Sequence, residues 1–331
     1  MTNKVFHGKA VKENWQLKEP FVLSRGSRTH AEVVYLKIDD GYLVGHSECQ
    51  PNSRYNENAD DVVLQLEQCF PASLQELEQL AQTLSSYAAR NALDCALWDY
   101  KLKNGLSQIP ALKSKESVSG TATYFTLSVA PPEEMAASAL RAYARGCRRL
   151  KLKFAGEGDD ERLDAVRSVA PDASIIIDAN EAWTEHMLEV FLPILEKAEV
   201  DLLEQPLPVG ADEALKAINT PIILCADESC HTAEDVKELV SKYDAINIKL
   251  DKTGGLTPAL KLLAAAEQAQ MKVMVGCMLG TSLSIAPAFI PAAHAHYVDL
   301  DAPLLLKHDR ADGFVVDRSF VFTGSEQSLW G

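Results

Sequence analysis

Five charged residues recur at nearly equal steps through the middle of the sequence, and together they could carry out proton-transfer chemistry. They are Lys153, Asp178, Glu204, Asp227 and Lys249, and the steps between them are 25, 26, 23 and 22 residues. Three carboxylates that converge in space supply the oxygen ligands that Mg²⁺ prefers. Two lysines on either side of such a cation could remove and return a proton on opposite faces of one carbon atom. The pattern therefore predicts a metal site with a base on each side.

The segments that end in these residues predict the strands of a barrel. Each residue closes a short apolar run, such as SIIID at 174–178, and helix-like sequence separates one run from the next. A (β/α) barrel of about 250 residues contains eight strand–helix units, and the observed steps fit such a unit. Barrel active sites lie at the C-terminal ends of the strands, so the five side chains should meet there. The eight predicted strands are 121–129, 148–154, 174–178, 200–204, 221–226, 244–250, 272–276 and 296–301.

The order of these segments predicts a two-part organisation. The eighth strand is not followed by a clear helix, which indicates an α/β chain with a (β/α)₇β modified TIM barrel at residues 119–303. Residues 1–118 predict an N-terminal α+β capping domain, with strands up to residue 50 and helices over 59–105. Residues 304–331 look irregular or strand-like and are predicted to return to the capping domain.

Two segments of the first domain are longer and more basic than hairpin turns require, and each is a candidate substrate lid. Segment 21–30 reads as a polar loop with Arg25 and Arg28, and segment 47–58 contains Arg54. Loops carry function more often than strands do. An arginine guanidinium matches a carboxylate with two parallel hydrogen bonds, so these residues favour an acidic substrate. The alternative is that they bond to acids of the capping domain itself.

Each barrel residue has an ordinary structural explanation when it is taken alone. Lys151 and Lys153 share one face of their strand, which also fits a solvated edge strand. Asp178 and Asp227 could cap the helices that follow, but Glu204 is a poor helix cap and precedes Gln-Pro-Leu-Pro. The recurrence of all of them at barrel period favours the metal site. Two neighbouring polar residues are predicted to support the metal ligands: Asn180 and Glu228.

Composition excludes several kinds of partner. The chain has 331 residues and a net charge of −15, which repels nucleic acid and anionic membranes. The seven cysteines include no CxxC pair and the first ten residues contain no apolar signal segment, so we predict a cytoplasmic protein. The longest apolar stretch, 285–298, contains two prolines and two histidines, and we predict that it spans no membrane. The sequence leaves the oligomeric state open, a homo-oligomer included.

Taken in order, the motifs of the chain resemble the enolase superfamily and, within it, the muconate-lactonising subgroup. A Lys or His base beside Mg²⁺ is an established pattern of that superfamily. The resemblance implies one Mg²⁺ ion per subunit on the three carboxylates and acid–base roles for Lys153 and Lys249. The motifs that carry it are KxK at 151–153, DxN at 178–180, EQP at 204–206, ADES at 226–229, NIKLDKTGG at 247–255 and ARNALDCALWD at 89–99.

Further motifs are similar to those of the dipeptide epimerases. These are GCMLGTS at 276–282 and the pair Asp299 and Asp301, which in that family holds the substrate's α-ammonium group. SRGSR at 24–28 is similar to the form found in L-Ala-D/L-Glu epimerases. The resemblance implies epimerisation of a dipeptide at the α-carbon of its C-terminal residue by two-lysine 1,1-proton transfer, in murein peptide metabolism. It also implies substrate contacts for four more residues: Lys151, Thr126, Arg25 and Arg54.

Two competing functions remain at this point. A cycloisomerase or an o-succinylbenzoate synthase on the same scaffold would use the same lysines and metal, but it has no need of an Asp299–Asp301 clamp for an ammonium group. A non-catalytic binder on a decayed barrel is the second alternative. The presence of both lysines and all three carboxylates favours an enzyme over a binder.

Overall fold

Three β-sheets organise the chain in the computed structural model, which describes residues 4–106, 120–324 and 329–331. The first is an antiparallel sheet of four strands in the order β3-β2-β1-β4, and it carries three helices. The strands are β1 (Val5–Leu23), β2 (Gly26–Asp39), β3 (Val44–Cys49) and β4 (Ala72–Ser73). The helices are α1 (Ala59–Glu67), α2 (Leu74–Thr83) and α3 (Tyr87–Lys103).

The alternation of side chains along β2 explains how this domain packs. Leu36 and Ile38 belong to the core formed with the three helices, whereas Val33 lies on the opposite face in a cluster that includes Leu279 of the barrel. Successive strand residues point to opposite faces of a sheet, so β2 can face the helices on one side and the barrel on the other. The predicted α+β capping domain is therefore observed.

The prediction of a loop over residues 21–30 was wrong. β1 continues to Leu23 and β2 begins at Gly26, so that only Ser24 and Arg25 form the turn of a long hairpin. Gly26 has a φ of 144°, a conformation that favours glycine. The strands remain paired close to the turn, where Phe21 lies opposite Arg28. Arg25 is therefore carried by a hairpin turn and not by a long loop.

The second sheet is the barrel, and the predicted modified TIM barrel is confirmed. All eight of its strands lie at the predicted places, although most are a few residues shorter. Tyr124 N donates to Val298 O (2.9 Å), which joins the first and last strands. The strands are β5 (Phe125–Leu127), β6 (Arg149–Lys153), β7 (Ser174–Asp178), β8 (Leu202–Glu204), β9 (Ile223–Ala226), β10 (Ala245–Ile248), β11 (Lys272–Gly276) and β12 (Tyr297–Asp299).

Helices of very different length follow the barrel strands. The long ones cover the outside of the barrel: α4 (Pro132–Ala144), α5 (Asp159–Val169), α6 (Glu185–Lys197) and α9 (Leu256–Gln268). The short ones are α7 (Val236–Leu239), α8 (Leu250–Thr253), α10 (Ser282–Ile285), α11 (Phe289–Ala292) and α12 (Ala302–Leu305). Within the described residues, no helix is both long and apolar enough to cross a membrane.

A small apolar cluster inside the barrel lies below the functional side chains. It includes Ile176 and Leu202, which precede Asp178 and Glu204 by two residues on their strands. Residues two apart on a strand share a face, so both carboxylates project into the barrel above this apolar floor. The floor separates the mouth of the barrel from its other end.

The C-terminal residues contact both domains. Lys307 N donates to Gln16 O (2.8 Å) on β1, whereas Phe320 and Phe322 are buried in the barrel core. The third sheet pairs β13 (Val315–Val316) with β14 (Phe322–Gly324). The domain bounds of 1–118, 119–303 and 304–331 stay a prediction, and the first boundary lies outside the described residues.

Candidate active site

Three carboxylates meet at the mouth of the barrel. Asp178 ends β7, Glu204 ends β8 and Asp227 directly follows β9. Asp178 pairs with Glu204 in the parallel register, so the strand ends are level. One oxygen from each of the three lies within 4.8 Å of the others, and all three residues are buried. The structure therefore brings together the three predicted metal ligands.

The chemistry of this donor set fits Mg²⁺. Three buried carboxylate oxygens suit a hard divalent cation better than a soft one. Glu204 Oε2 lies 2.7 Å from Lys151 Nζ, and Asp227 Oδ1 lies 2.6 Å from Lys252 Nζ, so positive charge already neighbours both oxygens. Burial, together with the charge of Asp178, raises the pKa of Glu204 to about 7, and the charge of a divalent cation would favour its ionised form.

The two candidate bases flank the carboxylates. Lys153 Nζ lies 2.5 Å from Asp178 Oδ2, and Lys249 Nζ lies 2.5 Å from Asp227 Oδ2. Lys153 ends β6, and Lys249 follows β10, which is four strands away in a barrel of eight. The two amino groups therefore approach the carboxylates from opposite sides of the barrel mouth.

Burial and neighbouring charges have opposite effects on the pKa of Lys249. Burial lowers this pKa, but the charges of Asp227 and Glu204 outweigh burial and raise it above its ordinary value. Burial and charge also oppose each other at Asp178. Burial raises its pKa, but the positive charges of Lys153, Lys151 and Lys249 outweigh burial and lower the pKa below its usual range. Each candidate base thus forms an ion pair with a candidate metal ligand.

Lys151 has a different environment from Lys153, although the two share one face of β6 as predicted. Its Nζ lies 2.7 Å from Glu204 Oε2, 2.7 Å from Asp299 Oδ2 and 3.2 Å from Asp178 Oδ2. The residue is 1% exposed. Lys151 therefore bridges the metal ligands and the aspartates of the last strand.

Asp299 and Asp301 line the same cavity, but they do not both lie on the strand. Asp299 is the last residue of β12, and Asp301 precedes α12 in a helical conformation. Thr126 N donates to Asp301 Oδ2 (2.6 Å). Burial and the charge of Asp299 raise the pKa of Asp301 to about 7. Asp299 Oδ1 is buried without a hydrogen-bond partner among the described residues, so this carboxylate can accept a donor from a ligand.

The capping domain contributes two arginines to the rim of the site. Arg25 Nη2 donates to Glu228 Oε1 (2.8 Å), and its Nη1 donates to Asn180 O (3.0 Å). Both arginines also reach Glu181, with Arg54 binding it through two nitrogens. The predicted supporting residues Asn180 and Glu228 therefore contact an arginine directly.

A cavity of about 380 Å³ lies between these groups and is lined by both domains. The barrel contributes Lys153, Lys249 and Asp299, and the capping domain contributes Arg25 and Arg54. A larger hollow of about 820 Å³ opens at the other end of the barrel. It contains none of the predicted site residues. Because barrel active sites lie at the C-terminal ends of strands, the smaller cavity is the candidate active site.

Three residues that the sequence motifs did not single out also lie in or beside the site. Asn247 Nδ2 donates to Glu204 Oε1 (2.7 Å), and its position two residues before Lys249 could have indicated that it faces inward. Lys252 is fully buried, and its Nζ lies 2.6 Å from Asp227 Oδ1. Its place in the KLDK run was the available signal. No local signal indicated Glu181.

Fold and site together define a class of metal-assisted barrel enzymes whose active site opens beneath a capping domain. The chain belongs to the enolase superfamily. Residues 6–110 match the N-terminal domain of the mandelate racemase / muconate lactonizing enzyme family, and residues 134–325 match the enolase C-terminal domain-like family. The resemblance seen in the sequence motifs is thereby confirmed.

Two similar proteins are an epimerase and a racemase. The L-Ala-D/L-Glu epimerase of Escherichia coli (strain K12) is 39% identical over 326 residues, which cover 97% of this chain and 99% of that protein. The N-acetyl-D-glutamate racemase of a Pseudoalteromonas species is 40% identical over 303 residues, covering 90% of this chain and 95% of that protein. The protein is therefore an isomerase.

Solved structures agree with this placement. An enolase family member from Agrobacterium tumefaciens with homology to dipeptide epimerases has a TM-score of 0.90 and 42% identity, covering 98% of this chain and 100% of that one. That structure contains sodium and L-Ala-L-Glu with an ordered loop. A dipeptide epimerase from Cytophaga hutchinsonii, complexed with Mg and D-Ala-L-Val, has a TM-score of 0.88 and 27% identity over 99% of this chain and 96% of that one.

Proposed function

We propose that the protein epimerises a dipeptide at the α-carbon of its C-terminal residue, with L-Ala-L-Glu or a similar dipeptide as substrate. The observation that carries this proposal is Asp299 Oδ1, a buried carboxylate oxygen that has no hydrogen-bond partner among the described residues and lines the cavity. A buried unpaired acceptor is costly, and an ammonium group would satisfy it. A dipeptide places its α-ammonium one residue away from the reacting carbon.

The proposed acid–base roles follow from the position of the lysines. Lys153 takes the α-proton from one epimer, and Lys249 delivers a proton to the opposite face of the same carbon. Their place at the C-terminal ends of strands four apart in the barrel supports this assignment. A Mg²⁺ ion held by Asp178, Glu204 and Asp227 would supply positive charge next to the substrate carboxylate, where negative charge develops.

The proposed substrate side chain is acidic. Arg25 and Arg54 are two cations of the capping domain that reach the barrel rim, and a guanidinium group matches a carboxylate bidentately. The similar structure that contains L-Ala-L-Glu supports this choice. We assign the primary contact to Arg25. The roles in murein peptide metabolism and in the cytoplasm stay predictions.

A second candidate function is racemisation of an N-acylated glutamate, because one relative of similar identity is an N-acetyl-D-glutamate racemase. Such a substrate shares the acidic side chain but has no α-ammonium group. The pair Asp299 and Asp301 would then face a neutral acyl group. The unpaired oxygen of Asp299 therefore favours the dipeptide, and it equally disfavours the cycloisomerase and o-succinylbenzoate synthase alternatives.

One experiment separates these functions. The protein is incubated with Mg²⁺ in D₂O with either L-Ala-L-Glu or N-acetyl-L-glutamate, and ¹H NMR follows loss of the α-proton and formation of the other epimer. We expect exchange and epimerisation of the dipeptide, and Asp299→Asn should weaken this activity. Faster turnover of N-acetyl-L-glutamate, with no effect of Asp299→Asn, would overturn the dipeptide assignment. Absence of α-proton exchange with both compounds would contradict both functions.

A further inference from the structure

Glu181 joins the barrel to two separate segments of the capping domain. Its carboxylate accepts hydrogen bonds from Arg54 Nε (2.9 Å) and Nη2 (2.8 Å), from Arg25 Nη1 (2.7 Å) and from Val209 N (3.0 Å). Arg25 belongs to the turn between β1 and β2, and Arg54 to the 3₁₀ turn Ser53–Tyr55. One barrel carboxylate, with its side chain only 9% exposed, therefore contacts both capping segments that line the cavity.

The backbone at this position is shaped to present the carboxylate. Asn180 and Glu181 have φ values of 45° and 65°, which residues other than glycine rarely adopt. Two hydrogen bonds hold this conformation: Asn180 N donates to Asp178 Oδ1 (2.9 Å), and Glu181 N donates to Gln205 O (2.9 Å). The same turn directs the carbonyl group of Asn180 toward Arg25 (3.0 Å). The chain thus leaves the metal ligand Asp178 and turns directly toward the capping domain.

The two arginines depend on Glu181 to different degrees. Arg25 has further acceptors in Asn180 O and Glu228, so part of its hold survives without Glu181. The side chain of Arg54 has Glu181 as its single ion-pair partner in the part of the chain that the structure describes. Without Glu181, the segment around Arg54 should therefore lose its ion pair to the barrel, whereas the hairpin turn should keep the contacts of Arg25 with Asn180 O and Glu228.

We propose that Glu181 is a positioning residue that closes both capping segments over the cavity and fixes Arg25 and Arg54 for an anionic side chain of the substrate. The part that concerns the substrate rests on the proposed function. Arginines that are already held in place lose less conformational freedom when a ligand binds. Glu181 should therefore influence substrate affinity, and it should influence the proton-transfer step much less.

The kinetic test compares Glu181→Gln with Glu185→Gln, an exposed glutamate at the start of α6 that serves as a matched control. We expect Glu181→Gln to raise KM for L-Ala-L-Glu at least tenfold and to change kcat less than threefold. The control should match the wild type. In the Arg54→Ala background the same substitution should raise KM by a smaller factor. A loss confined to kcat, or an equal effect in both backgrounds, would overturn the proposal.

A second measurement needs no substrate. Hydrogen–deuterium exchange is followed in residues 21–30 and 50–58 of the wild type, Glu181→Gln and Arg54→Ala. Glu181→Gln should accelerate exchange in both segments, and Arg54→Ala should accelerate it in 50–58 alone. Unchanged exchange in Glu181→Gln, or acceleration in one segment only, refutes a joint closure. If the wild type fails to epimerise L-Ala-L-Glu, the proposed function fails, while this exchange result still decides the role of Glu181.

Discussion

At the mouth of the barrel the candidate functional side chains stand at strand ends and are at most 8% exposed, as for Asp178, Lys153 and Lys249. In the capping domain, Arg25 and Arg54 stand on a hairpin turn and a 3₁₀ turn, with side chains 39% and 38% exposed. Side chains on strand ends are oriented by the sheet itself, whereas long side chains on turns depend on their individual partners. We therefore propose that the barrel mouth orients the reacting groups and that the capping domain selects the substrate.

This difference has a consequence for function. Groups fixed at the barrel mouth can serve any substrate that presents a carboxylate and an α-proton. Exposed groups on turns can change without disturbing that chemistry. We therefore expect changes at the barrel mouth to abolish turnover of every substrate, and changes in the capping domain to alter which substrate is preferred.

Removal of the divalent cation should have the largest effect. The three buried carboxylates at the barrel mouth would lose the charge that they are arranged to hold, and chelation should reduce turnover of every substrate below detection. Added Mg²⁺ should restore it. The measurement is the rate of epimerisation before chelation, after chelation and after Mg²⁺ addition, with circular dichroism to verify that the fold persists. Full activity of a metal-stripped sample would contradict the metal assignment.

Substitution of either candidate base should come next. Lys153→Ala and Lys249→Ala should each lower kcat by a factor of about 10²–10⁴, the usual contribution of a positioned acid–base group. The remaining lysine should still exchange the α-proton of one epimer with solvent deuterium. Lys261→Ala, which removes an exposed lysine on α9, is the matched control. Two-way epimerisation at the wild-type rate in Lys249→Ala would disprove the two-base assignment.

The same contrast explains what the sequence could predict. The residues at the barrel mouth follow the two-residue period of a strand and the spacing of successive strand–helix units. Both patterns can be read directly from the sequence, so the sequence predicts that these residues converge. Arg25 and Arg54 lie 156 and 127 residues away from Glu181 in the sequence, so no short segment of the sequence indicates that they form ion pairs with it. Similarly, residues 21–30 contain too few apolar positions to predict strands, and their extended conformation depends on pairing between β1 and β2.

Substitution of Arg25 tests the capping side of the comparison. Because the side chain of Arg25 is partly exposed, Arg25→Ala should lower kcat/KM for L-Ala-L-Glu by roughly 10-fold, between the effects of an exposed and a buried charge pair, while kcat/KM for L-Ala-L-Lys should fall much less. Arg28 is exposed and forms no ion pair with the described residues, so Arg28→Ala should have a smaller effect. Arg141→Ala, on the outer helix α4, is the control. A wild-type preference for L-Ala-L-Lys or an apolar dipeptide would reject the acidic substrate and leave epimerisation standing.

The smallest effect should come from helix caps, one in each region, that touch no substrate. Ser86 Oγ accepts a hydrogen bond from Ala89 N (3.1 Å) at the start of α3 and donates one to Glu57 (2.7 Å). Thr184 Oγ1 accepts from Met187 N (3.2 Å) at the start of α6. Loss of such a cap costs about 0.5–2 kcal/mol.

Ser86→Ala and Thr184→Ala should therefore each lower Tm by a few degrees, on the order of 2–4 °C per kcal/mol. Ser86→Ala should have the larger effect because it also leaves the carboxylate of Glu57 without one of its donors. Neither substitution should change kcat, since neither side chain contacts the cavity. Thermal unfolding and steady-state kinetics on the same samples measure both quantities. If Ser86→Ala lowered kcat as strongly as a lysine substitution does, the capping domain would take part in the chemistry, and the division between the two regions would not hold.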